Sequence, residues 1–408
     1  MATRKAVVHA RPSGRRGPTT NPATTVRRFH GPLADQLFVL CRPSAGVANP
    51  ARQAEAVYEA LRDVLASEHV APEAIVSETV FCRRIRDDVG PARSARSRVL
   101  GDAGLLPATT FIGQPPLADE ADLELAAVAM VPRSPEASAY HVRHATGCAC
   151  EACAAGVCAR VVRLRDQTSL WVGNVYGSGR DAFAEAYDMF RVADDVLARA
   201  GMRFDDVMRT WIHVRDIDRD YDALNEARTK FFRDRRIERL PASTGVQGIP
   251  ASDAHDFSLG LYALRSDRLL DIGVMSAPSL NEAWSYGADF SRGLRVADAN
   301  NVALYVSGTA SVDEAGRTAN VGDFGAQVDR MLHNIASLLD RQGAGFEDVV
   351  SAVTYLKHAS DAPALRSMFR ARGFEGFPCA LVHAPLCRPT LLCEAEVVAV
   401  LSLGAAGA

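Results

Sequence analysis

One segment of sequence is written three times in this chain. PEAIVSETVFCRRIRDD (72–88), FDDVMRTWIHVRDIDRD (204–220) and FEDVVSAVTYLKHASDA (346–362) share an apolar strand pattern entered from an acidic turn. Each follows an amphipathic helix. Each leads through further chain to a proline (Pro107, Pro241, Pro378) and a last apolar strand. The copies begin at Pro72, Phe204 and Phe346, a period of about 135 residues, which is the size of a domain and far longer than a solenoid repeat. The pattern predicts three homologous domains in tandem, with functional sites where the domains meet.

Within the third copy, ALYVSGTAS (303–311) reads as a strand because β-branched and aromatic residues run up to a Gly-Thr turn. In 322–343, Phe324, Val328, Met331, Leu332, Ile335, Leu338 and Leu339 fall on one helical face, and Gly343 ends the helix. VVSAVTYL (349–356) is a second strand, DAPALRSMFRAR (361–372) a second helix and PTLLCEAEVVAV (389–400) the last strand. Strands interrupted by two long helices predict an α+β layer, a mixed sheet with both helices on one face. Apolar residues on both faces of a strand (Val161, Leu164, Leu170, Val172) imply that the other face is covered too. Three sheets packed around a pseudo-threefold axis would cover it. The expected division is a disordered basic tail (1–28), a first domain (29–133), a Cys-rich linker (134–158), a second domain (159–266) and a third (267–408).

Length and composition narrow the function. A chain of 408 residues with 48% hydrophobic content supports several real cores. A net charge of −3 argues against a dedicated nucleic-acid binder. No apolar run is long enough to span a membrane. The tail carries Arg4, Lys5, Arg11, Arg15, Arg16, Arg27 and Arg28 and no acidic residue. It lacks the amphipathic period of a transit peptide, and no secretory apolar core is visible, so a cytoplasmic location is expected. In that compartment the nine cysteines are expected to be reduced. Four of them crowd into CACEACAAGVC: Cys148, Cys150, Cys153 and Cys158, with His141 and His144 just upstream. The spacing admits a structural zinc, and equally a small-residue connector with incidental cysteines. No phosphate loop or dinucleotide fingerprint is present, so no nucleotide cofactor is implied.

The repeat resembles the YjgF/Rid (reactive intermediate deaminase) family over most of 29–402. The residues that carry the likeness are Ser307-Gly308, Gln327, Asn334, Asp348-Val349-Val350, Thr354-Tyr355-Leu356 and the Glu394-x-Glu396 strand. That family forms homotrimers with sites between subunits. The resemblance therefore implies three Rid-like (chorismate-mutase-like) domains joined as a covalent pseudo-trimer, which would act as a monomer or pair into a homodimer. The second and third copies are further similar to the chorismatases, which split chorismate into pyruvate and a ring product. This likeness rests on Arg209-Thr210-Trp211, Leu240 to Gly245, Tyr286-Gly287 with Phe290-Ser291-Arg292, Ser307 to Ala310, and LVHAPLCRPTLLCEAE (381–396). Two departures stand out. The chorismatase Tyr-Gly-Pro-Arg reads Tyr286-Gly287-Ala288-Asp289. The arginine that Rid deaminases carry fifteen residues before the strand glutamate is Cys379, Thr109 or Ser243 in the three copies.

Glu394 is the residue on which the chemistry is expected to rest. Apolar neighbours (Leu392, Val397, Val398) raise a carboxyl's pKa and allow it to donate a proton near neutrality. The resemblance implies protonation of an enolpyruvyl group, with a small carboxylated ring compound as substrate. The expected substrate-binding set is Arg388, Arg292, Tyr286, Ser307, Cys379 and His383. Glu396, two residues on, shares the strand face of Glu394. Glu124 and Ser258 stand at its position in copies one and two. No arginine lies beside Glu124 on its own acidic strand, so that copy reads as scaffolding. The rival readings are imine or enamine hydrolysis of the Rid type and ligand binding without turnover.

Overall fold

The computed structural model describes residues 24–403 apart from 45, 48, 102–105, 119, 135–136, 143–158 and 282–288. The first domain contains β1 (Thr24–His30), β2 (Ala34–Cys41), α1 (Pro50–Ser67), β3 (Ile75–Cys82), α2 (Ile85–Leu100), β4 (Ala108–Gly113) and β5 (Leu123–Pro132). The second contains β6 (Ser138–Val142), β7 (Ala159–Leu164), β8 (Gln167–Val175), α3 (Ala182–Arg199), β9 (Val207–Val214), α4 (Ile217–Arg235), β10 (Ala242–Gln247), β11 (Ile249–Pro250) and β12 (Phe257–Ser266). The third contains β13 (Asp271–Val274), β14 (Gly293–Ala297), β15 (Val302–Ala310), α5 (Phe324–Asp340), β16 (Val349–Leu356), α6 (Ala362–Ala371), β17 (Cys379–His383) and β18 (Cys393–Leu401).

The sheet orders are β1-β2-β5-β3-β4-β11, β10-β9-β12-β8-β7-β6 and β13-β14-β15-β18-β16-β17. Each holds the same five-strand core. Its one parallel pair follows a crossover helix: β3 with β4, β9 with β10, β16 with β17. The helices form where the apolar period predicts. In α5 the side chains of Val328, Met331, Leu332, Ile335, Leu338 and Leu339 are buried. Asp323 caps its N-terminus by accepting from the Ala326 amide at 2.9 Å. Past the helix, Gly343 takes the left-handed conformation (φ 71°) that glycine adopts without a Cβ clash. Helices lie on one face of each sheet. In β18, Cys393, Ala395, Val397, Ala399 and Leu401 point toward them.

The opposite faces meet one another. Val76 and Met130 of the first domain, Trp171 and Tyr262 of the second, and Leu294 and Val296 of the third share one apolar cluster. The domains also clasp one another in a cycle. After β4, Pro115 accepts from the His383 amide at 2.9 Å, and the Leu117 amide donates to Leu381 at 2.8 Å, both on β17. After β10, β11 pairs antiparallel with β4. After β17, Pro385 accepts from the Gln247 amide of β10 at 3.2 Å. Each domain thus laces the edge of another, first to third, second to first, third to second. This is the expected pseudo-trimer.

Three boundaries differ from expectation. Residues 24–28 belong to β1 and not to the tail, because β1 pairs with β2 along its whole length. Residues 138–142 of the expected linker form β6, paired on β7. The last strand begins at Cys393 and not at Pro389, because 389–392 are spent on a turn: the Leu391 amide donates to Arg388 and the Leu392 amide to Gln327 Oε1. Cys148, Cys150, Cys153, Cys158 and His144 lie outside the described residues. Among the described residues no group of three His, Cys, Asp or Glu side chains is placed to hold a metal ion, and no helix is long and apolar enough to cross a membrane.

Candidate active site between the second and third domains

The second residue of each final strand is equivalent in the three sheets. Glu394 pairs in register with Tyr355, Glu124 with Phe81, and Ser258 with His213. The three positions differ in chemistry.

At the interface of domains two and three, Glu394 borders a cavity of about 40 Å³. Three arginines border it too: Arg292 from before β14, Arg388 from the turn before β18, and Arg228 from α4. Phe290 has Arg228 at 5.5 Å and Arg292 at 5.8 Å from its ring centre. Arg292 donates Nε to the Asn281 carbonyl at 2.8 Å and Nη2 to Asn281 Oδ1 at 3.2 Å. Arg388 donates to the Gly316 carbonyl at 2.6 Å. Glu394 is 5% exposed. Burial first, then the neighbouring Glu396, push its carboxyl up to about 7, while Arg292, Arg209 and Arg388 pull in the other direction. A Cβ at Gly308 would press on the Glu394 carboxylate and displace it, so glycine here lets the carboxylate keep its place.

Glu396 shares the helix-free face of β18 with Glu394, as the two-residue spacing predicts, but it faces the molecular axis. Arg209 Nη2 and Trp211 Nε1, both from β9, donate to its two oxygens at 2.7 Å. Trp211 is therefore an interface residue that positions a carboxylate.

The remaining expected residues are dispersed. The Ser307 hydroxyl donates to the Ser291 carbonyl at 2.6 Å and accepts from the Ser243 amide at 2.9 Å. It ties two domains together and lies outside the cavity lining. Cys379 and His383 are on β17, which faces the first domain and not the Glu394 cavity. Arg42 donates to the Cys379 carbonyl at 2.8 Å, and His383 Nε2 lies 3.1 Å from the Lys357 carbonyl oxygen. Tyr286 lies outside the described residues. Burial pushes the Cys379 thiol up to about 11 and the Cys387 thiol up to about 12, so neither is a thiolate nucleophile at neutral pH.

The other two interfaces carry different side chains. Glu124 does have arginines beside it, from outside its own strand: Arg42, just past β2, donates Nε to Glu124 Oε1 at 2.5 Å, and Arg366 of α6 also acts on it electrostatically. At the third interface His213 lies 3.5 Å from Ser258 Oγ, and burial pulls its imidazole down to about 4. Sequence reasoning missed Arg228 and Arg42. Arg228 has a visible signal, since it stands on the apolar stripe of α4 among Leu224, Ala227, Phe231 and Phe232.

Comparison with known proteins agrees with this architecture. The family model for endoribonuclease L-PSP matches residues 283–401. The 3-aminoacrylate deaminase RutC of Acinetobacter baylyi is 31% identical over 102 residues, 25% of this chain and 80% of the deaminase. This chain belongs to the Rid/L-PSP family. It is also 27% identical over 221 residues to a 3-hydroxybenzoate synthase of Streptomyces hygroscopicus, a match spanning 48% of this chain and 64% of the synthase. Its fold is similar to a crystal structure of chorismatase (TM-score 0.59, 18% identity), covering 80% of this Rid/L-PSP chain and 93% of the other.

Proposed function

We propose that this protein is a chorismatase-like enzyme that cleaves chorismate or a related small carboxylated ring compound, with Glu394 as general acid and then base. The observation that carries this reading is a buried carboxyl raised to about 7 inside an arginine-lined cavity. Guanidinium groups recognise carboxylates through fixed pairs of donors. Arg228, Arg292 and Arg388 would hold the anionic substrate. Neutral Glu394 would protonate the methylene carbon of an enol ether, generating an oxocarbenium ion. The conjugate base would then take a proton from water as it adds. The resulting hemiketal collapses to pyruvate and a ring alcohol. Likeness to the synthase and to the chorismatase fold supports the substrate class. A cavity of about 40 Å³ must widen to admit a ring. Tyr221, Cys387 and Arg388 are half-buried on its border.

The second reading, imine or enamine hydrolysis, draws on the likeness to RutC. Against it stands Ser243, which occupies the position of the Rid arginine beside the same cavity. Incubation of the purified protein with chorismate separates the readings. The expected result is pyruvate release that disappears in Glu394→Gln. Ammonia release from an imine, with no pyruvate from chorismate, would establish the Rid-type activity instead.

A further inference from the structure

We infer that the cavity on the pseudo-threefold axis is a second ligand site, shaped for a small uncharged aromatic molecule bearing one hydroxyl oxygen, the phenol class. It lies where the helix-free faces of the three sheets meet and holds about 170 Å³. A cavity of roughly 150 Å³ accommodates one benzene ring, so the space is that of a single ring. None of its lining residues borders the Glu394 cavity, and the inference does not depend on the chemistry proposed there.

The wall selects for a ring. Phe38 comes from the first domain, Trp171, Trp211 and Tyr262 from the second, and Tyr305 from the third. Tyr262 sits 5.1 Å from Trp171 and 5.6 Å from Tyr305, centre to centre and tilted. Such edges and faces favour a planar aromatic partner. The wall also selects against charge. Arg209 and Glu396 already neutralise each other at 2.7 Å. His213 is held neutral by burial. An ionised occupant would leave water without a counter-charge. A single oxygen is matched: Ser77, Thr79 and Ser351, each half-buried, supply hydroxyls in the wall. A hydroxyl that both accepts and donates satisfies these groups better than hydrocarbon does.

Titration of the full chain with phenol, by calorimetry and ligand-observed NMR, tests this. Saturable one-to-one binding is expected. It should weaken at least tenfold in Val128→Phe, which fills the cavity from β5, and persist unchanged in Glu394→Gln. Benzoate, the same ring with a full charge, should bind at least tenfold more weakly than phenol. If Val128→Phe melts early, Ser351→Leu fills the cavity from β16 instead. Absence of saturation at millimolar phenol, equal binding by a folded cavity-filled variant, or benzoate binding as well as phenol would each overturn the inference. Loss of chorismate turnover in Glu394→Gln with phenol binding intact separates the two sites.

Discussion

In the proposed reaction one proton on Glu394 governs both activity and stability. Removing a general acid costs about 10²–10⁴-fold in rate, so Glu394→Gln should lower pyruvate formation by at least that factor without loss of fold, as steady-state rates with circular dichroism would show. Because the carboxyl must be protonated to act and its pKa lies at about 7, kcat/KM should fall as pH rises through that value. Stability follows the same proton. The folded carboxyl holds it more tightly than an unfolded one, so the stabilisation is complete below about 4.5 and is lost as pH rises toward 7. The difference is on the order of 3 kcal/mol. Urea denaturation of wild type and Glu394→Gln should show the variant gaining relative stability between pH 5 and pH 8. Gly308→Ala places a methyl against Glu394 Oε1. Overpacking of this kind costs about 1–3 kcal/mol, and this variant should lose turnover together with melting temperature.

At the scale of elements, the role of β18 is legible in the sequence and that of β17 is not. The alternation of Cys393, Ala395, Val397 and Ala399 with Glu394, Glu396 and Val398 shows which face is core, so two carboxylates on the other face can be anticipated. Cys379 and His383 are near Glu394 in sequence, yet their strand serves a different interface. A strand's edge partner is set by a nonlocal pairing, here with residues 115–117 of the first domain, and no local pattern encodes that. Arg42 is hidden for the same reason. It lies just past β2, while Glu124 is on β5, and only sheet register brings them together. Removing one member of a buried pair costs about 3–5 kcal/mol. Arg42→Leu should therefore destabilise the protein, more at pH 8 than at pH 5, because Glu124 can protonate in place of pairing. Chorismate turnover should be retained, since Arg42 is at another interface. Denaturation curves at the two pH values check the first point and pyruvate release the second.

For the whole molecule, the threefold plan is readable because three copies of one pattern must share one fold. The inequality of the interfaces is not, because it depends on which side chain of one domain meets which of another. Arg228 belongs to α4 of the second domain yet borders the cavity of Glu394, which is on a strand of the third. With Glu394 as the one proposed reacting group, substrate saturation should be hyperbolic, with a Hill coefficient of one; a sigmoidal curve would contradict a single independent site. The cyclic lacing of the edges has a further consequence. In an assembly of three identical chains, any change to a contact is repeated three times, and a residue that improves one site alters all of them. Here the copies are spliced end to end, so each junction can drift alone. One has a glutamate bordering an arginine-lined cavity, one a glutamate paired with an arginine of its own domain, and one a serine. A covalent pseudo-trimer is thus one whose parts can specialise separately.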